Sequence, residues 1–403
     1  MRIVFPHDPT NCVSSGLNSE GKKMINFRSG VFLQRLNTMV MGGSLLGSQL
    51  RLMTFGESHG VAMGGVLDGF PAGIPVDYAL LRREMQRRRP RGQSFETARK
   101  EADEVEILSG VLDGITLGTP IAFLIRNQYQ RSSDYLSFSR VYRPGHADYT
   151  WDKKYGFRDA RGGGRASARE TVARVAAGAL AKMLLQRHGV VVYAFVHNIG
   201  GIVMPGERYD YPLREIEASA VRCPDSATSQ AMEALLDQVA REGDSVGGVV
   251  TCVVKHCPVG VGEPVFAKLD GVIAQAVMSI PAIKGVEMGR GFAAAAMRGS
   301  EHNDPFQYDR GKISPVTNNA GGVAGGIATG EDIVLRAAVK PVSSIKKPQH
   351  TVDHDGKAVD LAIKGRHDVC VAPRVVPVVE AMVSLAVADL LQQQTINRHY
   401  ISQ

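Results

Sequence analysis

Cysteine is scarce in this chain of 403 residues, and its distribution disfavours two classes of protein. The five cysteines form no Cys-x-x-Cys pair and no spacing typical of a metal site; they are Cys12, Cys223, Cys252, Cys257 and Cys370. A small secreted domain held by disulfides would have an even set of cysteines. The scattered, odd set favours a reducing compartment, and we expect no bound metal.

Long apolar runs and targeting segments are missing as well. The best apolar stretch, residues 381–391, contains Asp389 and is well short of the roughly 18 residues that a membrane span requires. The N-terminus has neither the apolar segment nor the small-residue cleavage pattern of a secretory signal. We therefore expect a cytoplasmic protein that makes no membrane contact.

Aromatic residues make up only 6% of the chain, whereas positive charge is in excess. The net charge is +7, and residues 82–91 hold six arginines against one acid, Glu84. Such a cluster attracts phosphate groups or nucleic acid, or it is a solvated helix face. The few aromatic residues and the lack of a recognisable module with stacking side chains disfavour RNA binding.

Two nucleotide-binding motifs are also absent from the sequence. The glycine-rich segments do not continue into Gly-Lys-Ser or Gly-Lys-Thr, as a P-loop would, and no predicted strand leads into Gly-x-Gly-x-x-Gly. A Rossmann dinucleotide site is therefore disfavoured. A phosphotransferase is disfavoured too, since it would also need an acidic metal cluster.

The sequence predicts a leader followed by one domain. Residues 1–40 contain two acids, Asp8 and Glu20, many Asn and Ser residues and no sustained periodicity. We interpret them as a flexible leader or as an extension from an upstream start that precedes a native Met41. Residues 41–403 contain no internal repeat and no linker, and we predict that they form a single catalytic domain.

Short apolar runs alternate with glycine-rich turns after residue 51, which predicts an α+β fold with mostly antiparallel sheet. The predicted strands are 61–67, 105–111, 120–126, 190–196, 249–254 and 333–339, and 105–126 is expected to form a β-hairpin. The predicted helices are 77–89, one that begins at a Ser167–Glu170 capping box, 227–241 and 377–394.

Three polar clusters carry the strongest functional signal. They are Gly-Glu-Ser-His-Gly at 56–60, Arg-Pro-Gly-His-Ala-Asp at 143–148, and the run 162–170, in which three glycines precede a predicted helix start. Glycine lets the backbone approach a ligand, and a helix start attracts anions. His59 and His146 can exchange protons near neutral pH, although each is as compatible with a structural role when taken alone. Together the clusters predict proton transfer beside a phosphate-bearing ligand, with His59 in an exposed loop and Asp148 raising the pKa of His146.

In the C-terminal half, too, glycine residues occur near charged residues. Glycine-rich residues 318–326 are followed by Lys-Pro-Val-Ser-Ser-Ile at 340–345 and by Lys-Gly-Arg-His-Asp at 364–368. We predict that these distant segments assemble one composite site for an anionic ligand.

The motifs resemble those of the chorismate synthase family. The three clusters, the Gly-Arg-His-Asp sequence, Gly-Val-Glu-Met-Gly-x-Gly-Phe at 285–292 and Lys-Pro-x-Ser-Ser at 340–344 occur in the family's order and approximate spacing. The resemblance covers about residues 47–392 and implies the last common step of aromatic biosynthesis. In that step 5-enolpyruvylshikimate 3-phosphate loses phosphate and a C6 hydrogen in an anti-1,4-elimination, and reduced FMN is required without net redox change.

The resemblance also implies roles for individual residues. His59 is expected to protonate the departing phosphate, His146 to stabilise or protonate the reduced flavin, and Asp368 to help the flavin N5 accept the C6 proton. The arginines expected to bind substrate anions or NADP are Arg87, Arg88 and Arg89. The family's flavin contacts fall on Arg165, Ala166, Ser167, Pro281, Ala282, Gly325, Lys340, Pro341, Val342, Ser343, Ser344 and Arg366.

The chain departs from the family pattern at a few positions, none of which removes a proposed acid or base. Ala166, Pro281, Val342 and Val369 stand where Ser, Asn, Thr and Pro are frequent, and Ser94 stands where many relatives carry an Arg linked to nucleotide contact. The family further implies a β-α-β sandwich of two antiparallel sheets enclosing helices, assembled as a homotetramer. NADPH is a candidate source of reducing equivalents, used by the enzyme itself or by a separate flavin reductase.

Overall fold

The structure is a computed structural model, and it describes residues 15–17, 23–25, 43–97, 102–128, 139–206, 208–309, 311–363 and 367–401. The chain divides into two compact units, Met1–Gly43 and Ser44–Gln403. In the first unit, strands β1 (Ser15–Leu17) and β2 (Lys23–Ile25) pair antiparallel. The elements that follow all belong to the second unit.

The first large sheet is built from the N-terminal part of the second unit. Its strands and those of a neighbouring hairpin are β3 (Leu45–Leu46), β4 (Arg51–Phe55), β5 (Ala62–Asp68), β6 (Glu106–Ile107), β7 (Val111–Leu112), β8 (Ile115–Thr116) and β9 (Ile121–Arg126). The sheet has the order β3-β4-β5-β9-β6 with antiparallel pairing throughout, and β7 and β8 pair with each other. The predicted hairpin over 105–126 is confirmed. The single strand predicted over 105–111 is wrong, because the chain turns at Gly110, whose φ is +79°.

The second large sheet comes from the C-terminal half. The strands there are β10 (Val191–Ile199), β11 (Ile202–Val203), β12 (Gly248–Lys255), β13 (Ile283–Met288), β14 (Phe306–Asp309), β15 (Lys312–Pro315), β16 (Val323–Ala324), β17 (Ile327–Ala328), β18 (Ile333–Val339), β19 (Gln349–Val352) and β20 (Ala358–Leu361). The sheet order is β11-β10-β12-β18-β13, again antiparallel, and the remaining strands form three two-stranded hairpins. The predicted strands in this half are confirmed.

Eight helices connect and cover these strands in the part of the chain that is described. They are α1 (Tyr78–Arg88), α2 (Asp148–Tyr155), α3 (Thr171–Gln186), α4 (Leu213–Ala218), α5 (Ser226–Glu242), α6 (Leu269–Met278), α7 (Gly299–His302) and α8 (Ala372–Ile401). Helix α3 contacts β4, β5 and β9, helix α8 contacts β10 and β12, and the two helices pack along each other. The observed mixture of helices and antiparallel sheets is the predicted α+β class.

Helices α3 and α8 approach each other closely at a glycine. Gly178 of α3 is buried against Ala381 of α8, and a Cβ atom at position 178 would overlap the Ala381 methyl group. The apolar face of α3 is buried along its length. Because protein interiors are close-packed, the contact at Gly178 sets the separation of the two central helices.

The starts of α3 and α8 differ from prediction. Ser167 caps only a short 3-10 turn, Ala168–Glu170, and the Glu170 carboxylate bonds to Thr54 and Arg174 instead of returning to Ser167. The predicted capping box is therefore not formed, and α3 begins at Thr171.

Helix α8 begins five residues earlier than predicted, so that Pro377 lies inside it. Pro377 has no N–H for the carbonyl of Pro373, and the Arg222 guanidinium donates to that carbonyl instead. The helix is long and apolar enough to cross a membrane over Ala372–Ile396, but 94% of its most apolar window is buried inside the protein. We therefore describe α8 as a core helix.

A carboxylate buried in α8 joins three other elements. Glu380 is fully buried and accepts hydrogen bonds from Arg87 of α1, from Lys182 of α3 at 2.5 Å and from the backbone N–H of Ala194 in β10 at 2.9 Å. Glu84 of α1 also accepts from Arg87 and Lys182. Burial alone would raise the pKa of Glu380, but the charges of Arg87 and Lys182 outweigh it and lower that pKa to about 2.

Removing the charge of Glu380 should be costly. We expect Glu380→Gln to lower the free energy of unfolding by about 3–5 kcal/mol, because Arg87 and Lys182 would then share Glu84 as their one remaining fully buried counter-charge. Urea unfolding monitored by circular dichroism measures the change. The matched control is Glu106→Gln, which removes an exposed partner of Arg126 and should cost less than about 1 kcal/mol. Equal effects of the two substitutions would contradict the assignment.

Candidate active site

The second unit contains a cavity of about 770 Å³ to which most of the predicted motifs contribute. Its lining residues fall within 57, 88–97, 103, 143–171, 280–282, 340–344 and 367–378. Apolar surface from Trp151, Pro341 and Val342 lies beside arginine, lysine, histidine and serine side chains. A cavity of this size with a few convergent polar groups is typical of a small-molecule site.

The glycine run 162–164 folds over the first motif. All three glycines have positive φ, and a Cβ atom at Gly162 would overlap the ring of His59. A Cβ atom at Gly164 would lie 2.6 Å from the carboxylate oxygen Oε2 of Glu57. The glycines are therefore required both by backbone conformation and by the close approach of Glu57 and His59.

The first motif is more buried than we predicted. Ser58 and His59 are both about 7% exposed, and the Ser58 hydroxyl lies 3.2 Å from Nδ1 of His59. His59 is not among the residues that line the cavity, whereas Glu57 is. The expectation of an exposed loop was wrong, because the glycine run covers the His59 ring. Burial raises the pKa of Glu57 in spite of the opposing charge of Arg165.

The second motif is bound to the Lys-Pro-Val-Ser-Ser segment. Ser343 donates to the Gly145 carbonyl at 2.9 Å, and a Cβ atom at Gly145 would lie 2.6 Å from the Ser343 hydroxyl. Lys340 donates to both Ser343 and the Gly145 carbonyl. Burial, together with the charge of Lys284, lowers the pKa of Lys340. Two segments almost 200 residues apart thus form one wall of the cavity. Of the segments predicted to assemble one composite site, 340–344 and 367–368 contribute lining residues, whereas 318–326 contributes none.

The hydrogen bonds of His146 define its tautomer. Nδ1 lies 3.0 Å from the Pro144 carbonyl, and Nε2 lies 2.9 Å from the Ser344 hydroxyl. A carbonyl only accepts, so Nδ1 carries the proton, and Nε2 of the neutral ring accepts from Ser344.

The pKa of His146 is lowered by burial of the ring and then by the charge of Arg143. The charge of Asp148 does act to raise this pKa, as predicted, but burial and Arg143 outweigh it. The predicted orienting contact is not seen, since the ring bonds to Pro144 and Ser344 instead. The Asp148 carboxylate forms a two-point ion pair with Arg143, at 2.7 and 2.8 Å, and also contacts Arg158. The negative charge of Asp148 is therefore largely neutralised by Arg143 and Arg158.

Asp368 lies on the cavity wall together with an arginine that the sequence did not suggest. Its carboxylate accepts from the Thr97 N–H at 3.0 Å and from Nη1 of Arg374 at 2.6 Å. Arg374 also lines the cavity, and its Nε is buried with no hydrogen-bond partner among the described residues. The only signal for Arg374 in the sequence is its position near the start of a helix six residues after Asp368.

The arginine cluster of α1 is divided between two environments. Arg88 lines the cavity and donates to Asp103 at 2.8 Å, whereas Arg87 is buried against Glu84, Glu217 and Glu380. Because Arg87 does not line the cavity, its predicted ligand contact is unsupported. Arg89 is not a lining residue either, and Ser94 bonds to Asp237 at 2.7 Å. The cluster is thus not the continuous basic surface that RNA binding would need.

Most of the predicted flavin contacts line the cavity. Those that do are Ala166, Ser167, Pro281, Ala282, Lys340, Pro341, Val342, Ser343 and Ser344. Arg165 does not, and its guanidinium donates to the Thr54 hydroxyl at 2.8 Å. Gly325 lies in the turn between β16 and β17, away from the cavity lining. Arg366 lies outside the described residues. Within the described part of the chain, no group of three His, Cys, Asp or Glu residues is placed to hold a metal ion.

The comparisons with known proteins all identify the same family. The sequence model of the family described as chorismate synthase matches residues 50–392. A chorismate synthase of Archaeoglobus fulgidus is 54% identical over 349 residues, which are 86% of this chain and 97% of that protein. One of Synechococcus elongatus is 52% identical over 355 residues, 87% of this chain and 98% of that protein. A crystal structure of a chorismate synthase superposes with a TM-score of 0.67 at 33% identity, covering 86% of this chain and 93% of that one.

The lowered pKa of His146 has a measurable consequence. The unfolded chain, in which the histidine titrates near 6.5, binds a proton more readily than the folded one, so His146 should cost stability as the pH falls below about 6.5. Lowering the pH from 7.5 to 5.5 should therefore lower the melting temperature of the wild type more than that of His146→Gln. An NMR titration should place the ring pKa below 6.5, and a value above it would show that burial and the charge of Arg143 do not dominate the titration of His146.

Proposed function

The chain belongs to the chorismate synthase family and performs its step of the shikimate pathway, and from this premise we propose that the cavity binds 5-enolpyruvylshikimate 3-phosphate together with reduced FMN. The observation that carries the proposal is the convergence of five of the six family-matched motifs on one cavity of about 770 Å³. The reaction is the anti-1,4-elimination of phosphate to give chorismate.

The residues of the cavity fit a flavin. Trp151, Pro281 and Val342 offer apolar surface for a flat ring system, and Ser167 and Ser343 offer hydroxyl groups for its polar edge and phosphate. The unpaired, buried Nε of Arg374 is the kind of donor that a bound ligand satisfies. Reduced FMN, when bound, supplies electron density to the substrate and recovers it, so that no net redox change results.

The side chains of this chain then have the following roles. His59, whose ring lies against the lining residue Gly162, acts as a general acid toward the phosphate that leaves. His146, whose unprotonated Nε2 accepts from Ser344, would take up a proton at Nε2 and so stabilise or protonate the reduced flavin. The carboxylate of Asp368, fixed by Thr97 and Arg374, assists removal of the C6 proton. Arg88 binds an anionic group of the substrate.

The remaining family features are part of the same proposal. We infer that the two sheets enclose α3 and α8 as a β-α-β sandwich, that the enzyme is cytoplasmic, and that residues 1–40 are a dispensable leader. A homotetramer is supported by strongly exposed apolar side chains, among them Phe292, Phe306, Tyr308 and Ile313, which are 66–85% exposed. NADPH, acting through the enzyme or a separate flavin reductase, is the proposed source of reducing equivalents.

Activity should depend on reduced flavin. In an anaerobic assay we expect chorismate to form only with FMN and a reductant such as dithionite, and no reductant should be consumed per turnover, because the reaction has no net redox change. Chorismate is followed by its absorbance, and flavin oxidation is followed in parallel. Full turnover with flavin rigorously absent would overturn the proposal.

Substitution of either site histidine should lower kcat, whereas substitution of a surface histidine should not. His59→Ala and His146→Ala should each lower kcat by roughly 10²–10⁴-fold if the side chains transfer protons, while FMN binding stays largely intact. The control is His188→Ala, which changes an exposed histidine outside the cavity. Near-normal rates in both site variants would leave the histidines with a structural role only.

A further inference from the structure

We propose that Asp103 is a positioning residue that holds Arg88 and Arg169 as a paired guanidinium site for one anionic group of the substrate. The inference rests on the proposed function, since it assigns a ligand to the same cavity. All three residues line the cavity. They come from three separate segments of the chain. Arg88 and Arg169 lie in clusters that the sequence singled out, whereas Asp103 does not.

The carboxylate of Asp103 is placed between the two arginines. Oδ2 accepts from Nη1 of Arg88 at 2.8 Å, and Oδ1 accepts from Nη1 of Arg169. The Asp103 side chain is fully buried, and those of Arg88 and Arg169 are 7% and 11% exposed. Buried ion pairs with this geometry are stiff, because breaking one leaves a charge without compensation.

Each arginine is fixed by a second contact. Nε of Arg88 donates to the Thr171 hydroxyl at 3.1 Å, and Nε of Arg169 donates to the Asn127 side chain at 3.0 Å. The positions of both guanidinium planes are thus determined from two directions. A guanidinium held in this way loses little further entropy when it binds phosphate or carboxylate.

The charges favour an anion. Two guanidinium groups and one carboxylate leave a local net charge of +1 on a wall of restricted solvent access, where charge interactions are stronger than in water. Without Asp103 the two cations would repel each other and separate. The carboxylate therefore lowers the total charge of the pair but keeps the two guanidinium groups together.

The backbone at Asp103 supports a specific requirement for that side chain. Its φ is +51°, in the left-handed region that is uncommon for residues other than glycine. Asp and Asn tolerate this region better than other side chains, and strained residues of this kind cluster at ligand sites. The structure thus keeps a buried, strained aspartate where it meets the two arginines.

The same network reaches the His59 loop. The amide of Asn127, which accepts from Arg169, donates to the carbonyls of Glu57 at 3.1 Å and Gly60 at 2.9 Å. Asn127 holds the loop of His59 by its own two hydrogen bonds, so the loop stays in place when only the charge of Asp103 is removed. Asn127 thus connects the proposed anion site with the proposed general acid.

The main test is Asp103→Asn, which keeps the shape and the tolerance of positive φ but removes the charge. We expect KM for the enolpyruvyl substrate to rise about tenfold or more, equivalent to about 1.4 kcal/mol of binding. We expect kcat and the Kd for FMN to change by less than about threefold, because the catalytic groups and flavin contacts stay in place. The matched control is Asp113→Asn, at an exposed aspartate with φ of +49° outside the cavity, and it should leave all three constants unchanged.

Two further measurements identify the anionic group that binds and replace the main test if Asp103→Asn does not fold. Competitive inhibition by inorganic phosphate and by malonate distinguishes a phosphate from a carboxylate site, and the inhibition constant of the group that binds there should rise in Asp103→Asn. If that variant does not fold, Asp103→Glu keeps the charge but displaces it by one methylene group, and it should raise KM with kcat retained.

An unchanged or lowered KM in Asp103→Asn, or a wild-type KM in Asp103→Glu when the first variant does not fold, would overturn the inference. So would inhibition constants that rise for neither anion. Wild-type enzyme that is inactive with reduced FMN would instead count against the proposed function, so the two failures are distinguishable.

Discussion

The ion pairs of Glu380 fix the relation between α1, α3, α8 and the second sheet. A buried carboxylate is unfavourable unless its partners compensate the lost hydration, and here two cations and a backbone N–H do so. The consequence for the site follows from helix geometry. Consecutive helical residues point about 100° apart, so when Arg87 is held against Glu380, the next residue, Arg88, is directed to the cavity.

The cavity repeats one arrangement of charge at several points. Arg143 and Arg158 pair with Asp148, Arg374 pairs with Asp368, and Arg88 pairs with Asp103. Each carboxylate holds an arginine in a fixed geometry before any ligand binds. Electrostatic stabilisation is most effective when the charged groups need no reorganisation during the reaction. The carboxylates of the cavity thus hold its arginines in position, in addition to any role in proton transfer.

The sequence predicted the elements well where the signal is local. Strand β18 matches its apolar run. The Asp77 carboxylate caps α1 by accepting from the N–H groups of Ala79 and Leu80, each at 2.9 Å. The start of α8 could not be predicted, because the carbonyl freed by Pro377 is satisfied by Arg222, which lies 151 residues away in sequence. Likewise, nothing near His59 indicates that a glycine run about 100 residues later covers its ring. The motifs identified the site, but the partners of each charge depend on the tertiary fold.

The contact between Gly178 and Ala381 has a mechanical consequence for the cavity. Helix α3 begins at Thr171, a cavity residue, and Gly178 lies about 10 Å further along the axis at 1.5 Å per residue. A helix transmits displacement along its length with little bending, so a side chain at position 178 would push α3 from α8 and move its first turn as well. The dimensions of the binding site are therefore set in part by the thickness of a helix contact that no ligand reaches.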